Sequence, residues 1–225
     1  MISAEPPPLR KRWATKAEGA YQSIRFLILD GSLKPGSTID QRALAMSLGI
    51  STTPLREAFR RLESEGFVRQ AAHHEMRVSE LSLDELQNLY DVRIQLVPYA
   101  SALAVENATD DDRQNVSKLA QFPSDVPAAT LLAHHQQFHR AIYSSCHNQI
   151  LVEILDSLAD RSNRYRLYLL EDFLATGVPL VVHKEIAGAF VDGRAAELAS
   201  LLESDLRTTR RQLVERLGQE PLGED

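Results

Sequence analysis

Two amphipathic segments stand almost end to end between Asp40 and Gly66, and their closeness constrains the fold more than any other feature of the chain. The first, near 40–48, opens at Asp40, a residue suited to N-capping, sets Leu44, Ala45 and Leu48 on one face and stops at Gly49. The second has Ser51 as N-cap and carries Pro54 in its first turn, where a missing N–H costs little. It then places Leu55, Ala58, Phe59 and Leu62 at the i, i+3, i+4, i+7 spacing of one buried stripe. Two helices joined by so tight a Gly-containing turn form a helix-turn-helix when the second meets DNA. Opposite the core stripe lie Thr52, Thr53, Arg56 and Arg60, short hydroxyls at the N-terminal end and long cations one turn apart. A helix fits the major groove, Arg donates two hydrogen bonds to guanine, and Thr meets phosphate or a thymine methyl. An ordinary surface helical hairpin has the same periodicity, and the pattern by itself leaves both readings open.

The flanks extend the pattern. Tyr21, Ile24, Leu27 and Ile28 share one face of a helix expected near 15–30, which Gly31 ends before the turn Lys34-Pro35-Gly36. After Gly66, Phe67–Gln70 and Met76–Ser79 read as two short strands around 71–75, a wing. Beyond Leu81 no strand-like alternation remains, and helices are expected near 82–107, 109–120, 127–145, 148–173, 177–192 and 194–217, the first with capping-box spacing at Ser82 and Glu85. The fold class expected is mostly α, an N-terminal winged helix-turn-helix followed by an antiparallel six-helix bundle. The boundaries expected are a flexible basic arm at 1–14, the DNA-binding domain at 15–80, an effector, metal and dimerisation domain at 82–217, and a tail at 218–225.

Charge supports this division. The net charge of −6 conceals 12 Lys and Arg against 9 Asp and Glu in residues 1–80, a surplus of +3, and 13 against 22 in residues 81–225, a deficit of −9. A basic third beside an acidic remainder suits a nucleic-acid module joined to one that avoids phosphate. The N-terminus lacks the apolar core of a signal peptide and no stretch of about 18 apolar residues runs uncharged, so a cytoplasmic protein with no membrane partner is expected. The single cysteine, Cys146, makes neither an internal disulfide nor a thiolate metal cluster. His-Glu-x-x-His, a P-loop and a nucleophile elbow are all missing, so a metal-dependent enzyme is the remote alternative and a non-enzyme the expectation.

The stretches Leu33-Lys34-Pro35-Gly36, Arg42-Ala43-Leu44-Ala45, and Gly49 through Val68 (GISTTPLREAFRRLESEGFV) resemble the winged helix-turn-helix of the GntR family of bacterial transcription factors over about sixty residues in order. The resemblance implies that Arg42 and Arg56 contact operator bases or backbone, that Thr53 bonds phosphate, and that His73 or His74 occupies the wing tip at the minor groove. Thr52 stands where the family usually has Arg, and Ala72–Met76 lacks the wing glycine. Arg60 is a further phosphate-contact candidate.

Residues 82–217 are similar in helix order and length to the helical ligand-binding domain of the FadR-like branch, many members of which hold a metal through Asp and His four apart, a later His, and a last His. Here His135 replaces the aspartate before His139, His183 falls third, and Asp205 stands where the last histidine would be. Independently of the family, residues i and i+4 stack on one helix face, so His135 and His139 can direct two nitrogens at one ion. The bland reading is a polar surface cluster of His134, His135 and His139. The expected cofactor is a divalent ion, zinc or nickel first, with an open position for a small organic acid. Arg93, Arg161 and Arg164 are the candidates to meet its carboxylate, since Arg offers two parallel donors; Val97 stands where the family commonly has Glu. The function expected is a ligand-responsive regulator, a repressor by preference, binding palindromic operator DNA as a homodimer. A regulator for which the ion itself is the signal is the alternative.

Overall fold

A computed structural model describes residues 15–71, 75–123, 126, 128–169 and 179–218, and divides the chain into two compact units, Met1–Ser82 and Leu83–Asp225. The expected arm at 1–14 and all but the first residue of the expected tail lie outside the described residues. The architecture is the expected one, a winged helix-turn-helix and a helical domain.

In the first unit α1 (Lys16–Leu29) starts at Thr15, whose hydroxyl accepts from the Glu18 N–H. A two-residue strand β1 (Thr38–Ile39) follows, which the sequence pattern did not announce. Asp40 caps α2 (Gln41–Leu48) by accepting from the backbone N–H groups of Arg42 and Ala43. Gly49 ends that helix at φ 64°, a left-handed conformation that disfavours any residue with a Cβ. Ser51 stands at the N-cap of α3 (Thr52–Ser64) with extended backbone, but its side chain makes no capping bond, so the cap expected there is one of conformation only. The wing, β2 (Val68–Gln70) and β3 (Met76–Val78), pairs antiparallel, and β1 joins it in the order β1-β3-β2. Ile24, Leu27, Leu44, Leu55, Phe59, Leu62, Phe67 and Val78 bury at its centre, so the amphipathic stripes of α1, α2 and α3 face one core.

The second unit holds α4 (Leu83–Asn107), α5 (Asp110–Leu119), α6 (Ala128–Ser144), α7 (Gln149–Leu169), α8 (Pro179–Val191) and α9 (Ala195–Leu217). The long helices α4 and α9 pack along each other, α6 and α7 cover α4, and α8 lies against α5 and α9. A capping box opens α5, where Thr109 and Asp112 exchange side-chain and backbone bonds. Tyr90, Phe138, Tyr165 and Phe190 are fully buried and fill the bundle with Leu155, Leu198, Leu202 and Leu213. Among the described residues no helix is long and apolar enough to cross a membrane.

Candidate functional site

The outer face of α3 is built by the same periodicity that buries its inner one. Thr52, Thr53, Arg56 and Arg60 are exposed there, and Arg42 is exposed at the start of α2. Among the described residues, none of the guanidinium groups of Arg42, Arg56 and Arg60 has a hydrogen-bond or ion-pair partner. Their neighbour Arg61 is fully engaged: it pairs with Glu18 at 2.8 Å and Glu65 at 3.0 Å and lies 3.7 Å over the Tyr21 ring. Tyr21 in turn donates to Glu65 at 2.7 Å, and burial together with that bond pushes its phenol far above the usual range. The helix therefore spends one cation on the fold and leaves two facing out. A groove of about 490 Å³ beside them is lined by Gln41, Arg56, Phe59, Arg60, Glu63, Gln70 and Met76, so it runs between α3 and the wing, with Glu63 accepting from the Gln70 N–H at 3.2 Å. Two strand cations that were not anticipated, Arg69 and Arg77, pair with Glu80 and Glu75. The expected wing-tip residues His73 and His74 lie outside the described residues.

In the second unit, three imidazoles from two helices converge. His135 and His139 stand one turn apart on α6 and His183 comes from α8; their candidate ligand nitrogens all lie within 4.8 Å of one another. The Nε2 of His139 is central, 3.2 Å from that of His135 and 3.1 Å from that of His183. Burial, mutual repulsion and the positive charges of Arg166 and Arg93 hold the His135 and His139 pKa values well below 6.5, so both rings are neutral at pH 7, the state that binds metals. Asp205 on α9 sits beside this group, its Oδ2 3.8 Å from His139 Nε2, but it does not belong to the group of mutually close donor atoms that the three histidines form. His134 is otherwise occupied, donating to the Leu119 carbonyl at 2.7 Å. Phe122 and Phe138 wall the cluster, with ring centroids 4.5 and 5.0 Å from that of His183.

These donors fit a divalent ion. Metal–nitrogen bonds of about 2.1 Å at tetrahedral or octahedral angles hold ligand nitrogens about 3.0–3.4 Å apart. The two short spacings observed fall in that interval.

Arginines complete the surroundings, and only one of them is an expected one. Arg93 on α4 is buried close enough to depress both histidines, stacks 5.1 Å over the Tyr90 ring, and has no partner for Nη1 among the described residues; the Tyr90 hydroxyl lacks one too. Arg161 and Arg164 gather around Glu85 instead, Arg161 donating to it at 2.6 Å beside the Tyr165 hydroxyl. The cation that reaches the histidines from α7 is Arg166, whose Nη1 donates to His135 Nδ1 at 3.1 Å and whose Nε has no partner among the described residues. The sequence did carry a signal for it. Leu155, Ala159, Ser162 and Arg166 follow each other at i, i+4, i+7, i+11, so Arg166 occupies a core register where a cation needs a reason.

Comparison with known proteins bears on both units. The family described as "Bacterial regulatory proteins, gntR family" matches residues 16–73, and the one described as "FCD domain" matches residues 88–208. The chain is 27% identical over 145 residues to the HTH-type transcriptional regulator YdhC of Bacillus subtilis, a match covering 62% of this chain and 65% of that one. It is 28% identical over 188 residues to the Nta operon transcriptional regulator of Aminobacter aminovorans, covering 81% and 87%. It is 33% identical over 145 residues to the HTH-type transcriptional regulator McbR of Escherichia coli, covering 63% and 66%. The solved structure of Escherichia coli McbR/YncC superposes with a TM-score of 0.80 at 24% identity, over 91% of this chain and 100% of that one. The aligned stretches thus take in just under two thirds of YdhC and McbR.

Proposed function

The chain belongs to the GntR family of bacterial regulatory proteins and carries an FCD domain, and from that premise we propose that it binds palindromic operator DNA as a homodimer and answers to a small carboxylate held at a metal centre. The observation that carries the DNA half is the outward face of α3, where Arg56 and Arg60 stand exposed with no acid among the described residues to cap them. Arg56, at the N-terminal end of the helix, is placed to read a base edge, with Thr52 and Thr53 beside it for phosphate and Arg42 approaching from α2.

The test is operator binding by Arg56→Ala. Losing one bidentate base contact costs about 1–3 kcal/mol, so affinity drops roughly 5- to 150-fold. An unimpaired gel shift removes the recognition-helix assignment.

In the second unit His135, His139 and His183 would hold the ion, zinc or nickel by donor type, with Asp205 the nearest carboxylate. A bound ion supplies an electrophilic point to which an effector carboxylate attaches. Arg93, buried and with a free donor, orients that carboxylate, while Phe122 and Phe138 keep the pocket dry. Dimerisation is supported by apolar side chains left on the outside of this unit: Val92 and Tyr99 seven apart on α4, and Ile150 and Ile154 four apart on α7, at 45, 57, 72 and 44% exposure. A second copy covering these faces would fix the spacing of two recognition helices, which effector binding then alters.

A further inference from the structure

We infer that Glu63 is a positioning residue for DNA recognition. From the last turn of α3 its carboxylate pins the open edge of wing strand β2, so that helix and wing meet a duplex as one surface, a role that rests on the DNA reading above.

The bond follows from the ladder. In an antiparallel pair, alternate residues turn their N–H and C=O toward the partner strand and the others turn them away. Ala71 N–H donates to the Glu75 carbonyl and Ser79 N–H to the Phe67 carbonyl, so Phe67, Arg69 and Ala71 are the inward set. Gln70 lies between two of them and turns its N–H to the outside. With the strand order β1-β3-β2, no further strand stands on that side among the described residues. Glu63 takes the place of one, its Oε1 accepting from the Gln70 N–H at 3.2 Å.

An acid at this place needs a reason. It stands in the last turn of α3, where the helix dipole disfavours negative charge. It lines the groove together with Arg56 and Arg60, on the face that the DNA reading turns to phosphate. Yet it forms no ion pair with either cation among the described residues, so neutralising them is not its task. The contact it does make is with the wing. Glu65, two residues on, accepts from the Tyr21 hydroxyl of α1 at 2.7 Å. The end of the recognition helix is thus tied to α1 by one acid and to the wing by the other, and the groove between α3 and β2 is held at a fixed width.

The experiment uses the full-length protein and, as probe, a duplex that the wild type selects from a random-sequence pool. Glu63→Gln keeps an acceptor oxygen and loses the charge, whereas Glu63→Ala loses both and, alanine being the best helix former, leaves α3 intact. Fluorescence anisotropy should find Glu63→Gln binding about twofold more tightly than wild type, because a negative charge has left the side of the phosphates. Glu63→Ala should bind roughly fivefold more weakly than Glu63→Gln, the effect of one lost hydrogen bond. Dimethyl sulfate separates the two parts of the surface, for it methylates guanine N7 in the major groove and adenine N3 in the minor groove. Glu63→Ala should keep the guanine protection given by α3 and lose the adenine protection given by the wing. If the two variants bind alike, or if adenine protection survives in Glu63→Ala, Glu63 does not position the wing and the DNA reading stands without it. If the wild type selects no duplex, the DNA reading falls and the role of Glu63 with it.

Discussion

Arg56, Arg60 and Arg61 occupy a single helix and meet two different fates, because each residue turns the helix by about 100°. Arg61 falls over Tyr21 and between Glu18 and Glu65; the other two are exposed and form no ion pair among the described residues, although Glu63 lines the groove beside them. Arg61→Ala should lower the stability of the first unit by about 1 kcal/mol, the sum of half-exposed ion pairs and one cation–π contact, and leave operator contacts intact where the protein is folded. Thermal unfolding alongside gel shifts separates it from Arg56→Ala, for which the midpoint should hold and DNA affinity fall; the opposite pattern would exchange their roles. This division was half legible in the sequence. The outward stripe follows from periodicity, whereas the acids that pin Arg61 come from another helix and from one turn further on. Arg166 illustrates the same limit. Arg161 and Arg164 were expected to meet a carboxylate because arginine offers two parallel donors, but the histidines lie on the face that carries Ala159 and Ser162, and only the bundle reveals which face meets α6.

Among the elements, those with many periodic residues were legible and the shortest was not. The six helices of the second unit were expected close to where they form, since each repeats its apolar pattern over several turns. Strand β1 has two residues, Thr38 and Ile39, and exists because β3 offers an edge to pair with, a fact of tertiary structure. Capping was legible where a carboxylate does the work: Asp40 bonds two N–H groups, so Asp40→Ala should cost about 1 kcal/mol. Ser51 makes no such bond, and Ser51→Ala should cost only a few tenths of that. At the helix-turn-helix corner a Cβ on Gly49 would touch nothing within 4 Å, so the penalty of Gly49→Ala is the left-handed backbone alone, about 1–2 kcal/mol. Urea unfolding of the three variants tests the ranking; Ser51→Ala proving the most damaging would refute it.

For the molecule as a whole, the histidine cluster in the second unit ties stability to pH, and the ion proposed for it would tie stability to metal as well. The folded state holds His135 and His139 neutral with pKa values well below 6.5, while in the unfolded chain both titrate near that value. Their groups have depressed folded pKa values, so above about pH 6.5 neither state takes up a proton and stability is level in their account. As pH falls below it, the unfolded chain gains protons that the folded one refuses, and stability drops by up to roughly 1.4 kcal/mol per pH unit for each ring until the folded pKa is reached. Metal-stripped protein should therefore show a melting temperature that declines below about pH 6.5, and His139→Gln should flatten the decline. Zinc at one hundred times its dissociation constant should add about 2.7 kcal/mol at neutral pH, an increment that shrinks in acid because protons and the ion compete for the same nitrogens. Melting curves from pH 5 to 8, with chelator and with zinc, read both effects. An acid limb unchanged by His139→Gln would mean that the histidine cluster is not its source, and a zinc increment indifferent to pH would mean that the ion sits on other ligands.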